Sequence, residues 1–263
     1  MDPVGERAQA AIRESWTRGA VGYDHDAGHG LATPAVEEAW SAALQEELGT
    51  APLAVLDVGT GTGFLAVIAA RLGHRVTGID LTPAMLERAH GRSAEAGVDV
   101  DWQEGDAAAL PFPDSSFDAV VSRHVVWTMT DPATAFREWA RVARPGGRVI
   151  WYDGLEPSGV RVALRQRLGR VVGLIQRVQD HLSDHSYTPE AIAALPLHGA
   201  RTTEPVEALL RGLGVEEVSL QTLTAVARAE MHDEPLAKRL AGPEPRYVGA
   251  FSVSGELKEQ LAQ

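Results

Sequence analysis

An apolar strand that runs into alternating glycines is the feature that most constrains how this chain can fold. The stretch LAVLDV at 53–58 is followed by the turn GTGTG at 59–63, and a second apolar stretch, 75–79, ends in the carboxylate of Asp80. Glycine permits sharp turns and lets a backbone lie directly against a ligand. A carboxylate at the tip of the next strand can accept hydrogen bonds from a ribose diol. Together these features predict a nucleoside-bearing ligand across the carboxyl ends of parallel strands.

The spacing of the glycines separates two classes of cofactor. Dinucleotide-binding turns read G-x-G-x-x-G and rest a pyrophosphate on the helix that follows. The turn here reads G-x-G-x-G, and Asp57 stands two residues before its first glycine. A carboxylate there would repel a pyrophosphate, whereas it suits a cationic ammonium or sulfonium group. A nicotinamide-dependent reductase with an unusual turn remains an alternative.

Further motifs extend the pattern beyond the first turn. They are EGDA at 104–107 with LPFPD at 110–114, FDAVVSRH at 117–124 and RVARPGGRVI at 141–150. With these motifs, the chain resembles the class I S-adenosylmethionine-dependent methyltransferases over about residues 50–155, in the branch of small-molecule and quinone-type enzymes. The resemblance implies S-adenosylmethionine as the cofactor and S-adenosylhomocysteine as the product.

The cofactor-binding residues that the resemblance implies lie at one rim of the sheet, apart from an N-terminal tyrosine that would close over the cofactor. Asp80 is expected to bind the ribose hydroxyls and Asp106 the adenine amino group, whereas Asp57 would organise the turn and the methionine ammonium. The backbone carbonyl of Arg123 would also meet the ammonium. The full set is Tyr23, Asp57, Gly59, Thr60, Gly61, Gly63, Asp80, Leu81, Met85, Asp106, Ala107 and Arg123.

Methyl transfer requires little acid–base chemistry from the protein. Methyl transfer from a sulfonium needs alignment in a dry site, and a base only where the acceptor must lose a proton. His124 lies two residues past the strand predicted at 117–122 and has a side chain that titrates near neutral pH, so it is the candidate catalytic base. The alternative is a histidine that only shapes the pocket. Side chains expected to contact the substrate are His25, His29, Trp127, Tyr152 and Asp153.

A metal site is the other interpretation of the segment before the first strand. This glycine-rich segment contains Asp24, His25, Asp26 and His29. Imidazoles with carboxylates suit zinc or iron. The surrounding glycines fix no ligand geometry, so no metal is expected.

Strand and helix signals alternate through most of the chain. This alternation predicts a parallel sheet with right-handed crossovers. The fold class is a doubly wound, Rossmann-like α/β domain with a seven-stranded, mostly parallel sheet and a helical lid. The predicted strands are 53–58, 75–80, 98–103, 117–122 and 147–153, with an antiparallel edge pair at 216–223 and 247–253.

The chain divides into four expected units. They are an N-terminal helical lid at 1–50 with helices at 8–16 and 34–48, the cofactor-binding core at 51–154, a helical insertion at 155–203 with a long helix at 160–181, and the rest of the core with its last two strands at 204–263.

Composition narrows the class of partner. The 263 residues carry a net charge of −12, which disfavours nucleic acid and anionic membranes as partners. Cysteine is absent, no run of eighteen apolar residues occurs, and no basic leader precedes an apolar stretch, so a cytoplasmic location is expected. A monomer or homodimer that acts on a small molecule fits these properties.

The sequence thus predicts a methyltransferase for an oxygen or nitrogen atom of a small aromatic or heteroaromatic metabolite in specialised metabolism. Two alternatives stay open. One is a protein that uses the same cofactor pocket for cyclisation or another reaction without methyl transfer. The other is the NAD(P)-dependent reductase.

Overall fold

The computed structural model describes residues 3–20, 23, 33–155, 187–232 and 245–261. The strands are β1 (Ala54–Val58), β2 (Arg75–Asp80), β3 (Asp101–Glu104), β4 (Phe117–Arg123), β5 (Ala143–Gly154), β6 (Ser219–Thr222) and β7 (Arg246–Ser252). The helices are α1 (Pro3–Gly19), α2 (Pro34–Leu48), α3 (Phe64–Arg71), α4 (Pro83–Ala96), α5 (Pro132–Val142), α6 (Pro189–Ala193), α7 (Glu204–Gly212), α8 (Thr224–His232) and α9 (Gly255–Leu261), with a 3-10 turn at Val126–Thr128. The helix predicted at 160–181 lies outside the described residues.

The strands form one seven-stranded sheet in the order β3-β2-β1-β4-β5-β7-β6. Neighbours among β1–β5 pair in parallel, whereas β7 runs antiparallel to both β5 and β6. The predicted doubly wound α/β fold with an antiparallel last pair is therefore confirmed. Because Val58 pairs with Ile79 on one side and with Ser122 on the other, the carboxyl ends of β1, β2 and β4 meet at one edge.

Apolar cores lie on both faces of the sheet because side chains alternate along the central strands. On β5, Val149 and Trp151 belong to one core, whereas Ile150 and Tyr152 belong to the other. The first core is closed by α5, α7 and α9, and the second by α2, α3 and α8. No helix in the described ranges combines the length and hydropathy needed to cross a membrane.

The two N-terminal helices have different roles, although the sequence prediction assigned both to a lid. The second helix, α2, begins where predicted, since the Thr33 side chain accepts a hydrogen bond from the Val36 N–H at 3.4 Å. It buries Trp40 and Leu44 against the sheet and is therefore a layer of the core. By contrast, α1 packs against α4 and α6.

Several boundaries differ from the prediction for local reasons. Strand β3 begins at Asp101 rather than at 98, because Gly97 ends α4 with a φ of 67° and the Val98 N–H still bonds to the Ser93 carbonyl at 3.1 Å. Strand β6 is shorter than predicted, and the unpredicted helix α8 follows it almost at once. The C-terminal helix α9 was not predicted either.

Candidate active site

A cavity of about 520 Å³ opens at the edge where β1, β2 and β4 end. Its walls come from the glycine turn, the ends of β2 and β4, the segment 105–109, the segment 128–134 and one face of α1. Most of the predicted cofactor residues border it. They are Tyr23, Gly59, Gly61, Asp80, Leu81, Met85, Asp106, Ala107 and Arg123.

The three glycines of the turn share a left-handed backbone but have different surroundings. Gly59, Gly61 and Gly63 have φ values of 64°, 55° and 80°. A Cβ at Gly61 would meet only the Tyr23 ring, at 3.9 Å, whereas at Gly63 it would come within 2.7 Å of the Trp102 ring. Gly59 also borders the cavity, but a Cβ there would meet Val125 at 2.4 Å, so Gly61 is the glycine of the turn with open space next to its backbone. Gly63, predicted to face the cofactor, is needed instead for packing inside the protein.

Asp80 ties the end of β2 to the glycine turn. Its Oδ2 accepts the Gly61 N–H and its Oδ1 accepts the Thr82 N–H, each at 2.8 Å. Burial raises the pKa of this carboxyl, while the same hydrogen bonds act against the rise. Each carboxylate oxygen has a second lone pair, so a side chain at the cavity wall keeps acceptor capacity for a ribose diol.

Asp57 lies behind the turn, and it is not part of the cavity wall. Its Oδ2 accepts the Thr60 hydroxyl at 2.6 Å and the Ala66 N–H at 3.1 Å. Burial raises the pKa of this carboxyl to about 7, while the bonds from Thr60 and Ala66 lower it. Asp57 and Thr60 thus hold the turn in shape, and a contact of Asp57 with the methionine ammonium stays a prediction.

Helix α1 covers the end of the cavity next to Asp106. The Gln9 side-chain amide donates to Asp106 Oδ2 at 2.5 Å, and Arg13 pairs with Glu104 at 2.7 Å. The other Asp106 oxygen accepts the Ala108 N–H at 2.9 Å. Nothing in the sequence marks Gln9 or Arg13 as site residues, because polar residues on a helix usually face solvent.

Helix α5 fixes the segment that carries Asp106 and Ala107. The Trp139 indole donates to the Ala107 carbonyl at 3.0 Å. The guanidinium of Arg141 donates to the Leu110 carbonyl at 3.0 Å and the Phe112 carbonyl at 2.8 Å, while it also pairs with Glu138. These bonds explain why an arginine near the end of α5 accompanies the motif at 110–114.

Arg123 contributes a buried cation at the end of β4. Its guanidinium lies 3.8 Å from the centre of the Phe64 ring and 4.9 Å from that of Trp40. Burial lowers its pKa to about 10, so the group stays protonated at neutral pH. Arg123 borders the cavity, and a contact of its backbone carbonyl with the methionine ammonium stays a prediction.

His124, the candidate base, is the first residue after β4 and borders the cavity. Its Nδ1 lies 3.5 Å from Asp153 Oδ1, and the two side chains are only 8% and 6% exposed. Burial raises the pKa of Asp153 to about 7, while the Gly154 N–H and Arg246 act against the rise. Asp153 does not itself border the cavity, so it meets the site through the imidazole.

Two predicted substrate contacts are placed elsewhere. The Tyr152 hydroxyl donates to the Ala43 carbonyl at 3.4 Å, and the ring packs against Trp40 in the core, so the predicted substrate contact of Tyr152 is not supported. Trp127 lies outside the cavity wall, against the rings of Tyr187 and His198. Asp153, a third predicted contact, does not border the cavity either. The remaining two, His25 and His29, lie outside the described residues, as does the segment considered for a metal.

Comparison with known proteins adds evolutionary evidence to this geometry. A methyltransferase domain family matches residues 56–151, which include the glycine turn, Asp80 and His124. A demethylmenaquinone methyltransferase of Deinococcus radiodurans is 31% identical over 205 residues, covering 74% of this chain and 83% of its own. The chain belongs to the class I S-adenosylmethionine-dependent methyltransferases. A demethylmenaquinone methyltransferase of Thermus thermophilus is likewise similar to this methyltransferase, with 33% identity over 202 residues, 73% of this chain and 88% of its own.

Solved structures share the fold of this methyltransferase at low sequence identity. One is a phosphoethanolamine N-methyltransferase of Haemonchus contortus, in complex with phosphomonomethylethanolamine and S-adenosylhomocysteine. Its TM-score is 0.61 at 18% identity, and the match covers 92% of this chain and 60% of the other. The predicted family, enzyme class and cofactor are thus confirmed, and the reductase alternative has no support from these relatives.

The residues at the cavity fit S-adenosylmethionine. The space that a Cβ at Gly61 would fill leaves room for a ligand directly on the backbone of the turn. Beside it stand an acceptor for a diol in Asp80 and a second acidic acceptor in Asp106, as a nucleoside requires. The roles of the individual residues remain predictions.

Proposed function

We propose that this methyltransferase transfers a methyl group to a hydroxyl or nitrogen of a small aromatic or heteroaromatic metabolite, with His124 accepting the proton. The observation that carries the proposal is the position of His124, at the cavity wall directly after β4 and one residue from Arg123. A base at this point serves an acceptor atom that must lose a proton as it is methylated.

The cofactor supplies an activated methyl group on a sulfonium, so the protein's task is alignment and exclusion of water. In the proposal, Asp80 binds the ribose hydroxyls and Asp106 the adenine, while the backbone at Gly61 lies against the cofactor. Helix α1 is the lid over this arrangement, held by the hydrogen bond of Gln9 to Asp106.

The character of the remaining cavity wall supports an aromatic acceptor. Ile12, Trp16, Val125 and Met129 provide apolar surface there, as is usual for pockets that bind small organic molecules. The names of the Deinococcus and Thermus relatives state that those proteins act on demethylmenaquinone. Quinol-type rings are therefore the first acceptors to test, and small phenols and nitrogen heterocycles follow.

The test measures S-adenosylhomocysteine release and acceptor mass with S-adenosylmethionine and a panel of quinols, phenols and heteroaromatic amines. We expect methylation of at least one aromatic member, and a loss of turnover of about 10²-fold or more in His124→Gln with unchanged cofactor affinity. The matched control is His90→Gln, an exposed histidine of α4 that does not border the cavity. Methylation of aliphatic amines or proteins but of no aromatic compound would contradict the proposal. If His124→Gln turned over as fast as the wild type, His124 would not be the base.

A further inference from the structure

The parallel pairing of β4 and β5 brings His124 and Asp153 together. Arg123 pairs with Tyr152 in the register of these strands, so the next residue of each strand stands side by side. The His124 N–H continues the pairing by donating to the Tyr152 carbonyl at 2.9 Å. The juxtaposition is therefore fixed by the backbone of two central strands rather than by a surface loop.

The backbone of His124 has an unusual conformation at the point where β4 ends. Its φ is 58°, and within the described ranges Ser115 is the other non-glycine residue with a positive φ. Left-handed geometry is unfavourable for a residue with a Cβ and persists mainly where the surroundings enforce it. The β4 chain turns at this point toward the 3-10 turn at Val126–Thr128.

Asp153 is buried next to His124 and, unlike His124, does not border the cavity. Its side chain is 6% exposed and absent from the cavity wall, and its Oδ1 accepts the Gly154 N–H at 2.9 Å. The same oxygen faces His124 Nδ1 at 3.5 Å. Hydrogen bonds of catalytic groups are often this long before substrate binds and shorten in the complex.

We propose that Asp153 is a positioning residue: it accepts the His124 Nδ1–H and so makes Nε2 the nitrogen that takes the acceptor's proton. The inference rests on the proposed function. In the step, the proton of the acceptor atom moves to Nε2, and the electron pair of that atom forms the bond to the methyl carbon. The electron pair of the breaking carbon–sulfur bond stays on sulfur. Asp153 stabilises the resulting imidazolium and neither gains nor loses a proton in this step.

Charged groups from three elements face this pair, and they set the pH range of its action. Arg246 and Tyr247 of β7 both interact electrostatically with Asp153, and Glu230 of α8 holds Arg246 at 2.9 Å. Arg123 precedes His124 on β4. With the carboxyl charged, the imidazolium is favoured; replacing the carboxyl with an amide therefore lowers the pKa of His124 and moves the acidic limb of the kcat profile to lower pH.

The experiment compares Asp153→Asn, His124→Gln and the double variant as a double-mutant cycle on kcat, with calorimetric affinity for S-adenosylhomocysteine as the control. We expect Asp153→Asn to lower kcat at least about tenfold, part of the 10²–10⁴ that a positioned base contributes, with cofactor affinity unchanged. In the His124→Gln background the same change should have no further effect. Independent, additive losses, or an unshifted pH profile, would overturn the inference.

A second readout needs neither turnover nor a folded variant at position 153. Nitrogen-15 NMR of histidine in the cofactor-free wild-type protein reports which ring nitrogen carries the proton, and His124→Gln assigns the signal among the nine histidines. The expected state above the pKa is Nδ1–H, and an Nε2–H tautomer would overturn the positioning role. Absence of methyl transfer to every aromatic acceptor, with an Nδ1–H tautomer, would contradict the proposed function alone.

Discussion

The Gly61 backbone amide donates to Asp80 Oδ2 at 2.8 Å, so the glycine turn and the acid at the end of β2 form one unit. The Thr82 N–H completes the unit from the opposite side of the carboxylate. A ligand on the turn is therefore in reach of the carboxylate without any rearrangement of the backbone. This coupling makes Asp80 both a structural acceptor and the proposed partner of the ribose.

Asp80→Asn separates these two roles. The amide keeps one oxygen for a backbone donor but loses the charge, and hydrogen bonds to charged groups contribute about 1.5–3 kcal/mol. We expect affinity for S-adenosylmethionine and S-adenosylhomocysteine to fall about 10- to 100-fold in isothermal titration. Asp101→Asn, on exposed β3, is the matched control. Equal affinity of the two variants would show that the ribose lies elsewhere.

Gly61→Ala should mainly weaken cofactor binding, whereas Gly63→Ala should mainly lower the stability of the fold. Both replace a glycine with positive φ, which costs about 1–2 kcal/mol for a residue with a Cβ. At Gly61 the new methyl enters the cavity, so we expect weaker cofactor binding with a modest loss of stability. At Gly63 it meets Trp102 at 2.7 Å, so unfolding by urea should show about 1–3 kcal/mol of additional destabilisation. The reverse ranking of stabilities would contradict the assignment.

Asp57→Asn should change how stability depends on pH. The folded-state pKa is raised to about 7, so between about pH 4 and 7 the folded protein holds a proton that the unfolded chain has lost. The stability from this proton is therefore lost as pH rises through about 7. We expect the free energy of unfolding of the wild type to fall by on the order of 2 kcal/mol more than that of Asp57→Asn between pH 5 and 8. Parallel pH curves from urea denaturation would refute this.

Arg141→Lys tests the link between α5 and the segment at 110–114. Lysine cannot reproduce the planar fork that reaches two carbonyls and Glu138 together. We expect a loss of about 1–3 kcal/mol in the free energy of unfolding. Arg18→Lys, at the exposed pair with Glu14 on α1, should cost less. Equal losses would show that the Arg141 bonds contribute no more than an ordinary surface pair.

The sequence predicted the bounds of those elements whose ends are set by nearby residues such as glycine and proline. Strand β2 and helix α7 have the predicted bounds, because a glycine or a proline marks their starts. The turn and Asp80 could be identified for the same reason, since both lie within one local unit made of β1, the turn, α3 and β2. The start of β3 depended instead on how the preceding helix ended at Gly97, which a strand pattern does not reveal.

Long-range contacts explain what the sequence did not reveal in the site. Gln9 and Arg13 meet Asp106 and Glu104 across more than ninety positions of sequence, and nothing in α1 distinguishes them from solvent-facing residues. A usable signal did exist for Tyr152. Side chains alternate along a strand, so Tyr152 and Asp153 could not both face the site, and the residue next to His124 is Asp153.

The insertion of β7 between β5 and β6 has a consequence for biosynthesis. While the chain leaves the ribosome, β5 emerges more than ninety positions before the strand that covers its open side. A nascent or truncated chain that ends before Arg246 therefore exposes the hydrogen-bonding groups of a long strand with an apolar run at 149–152, a template for aggregation. Fusion partners and purification tags should accordingly leave β7 free to pair, since it is an interior strand between β5 and β6 and not an edge of the sheet.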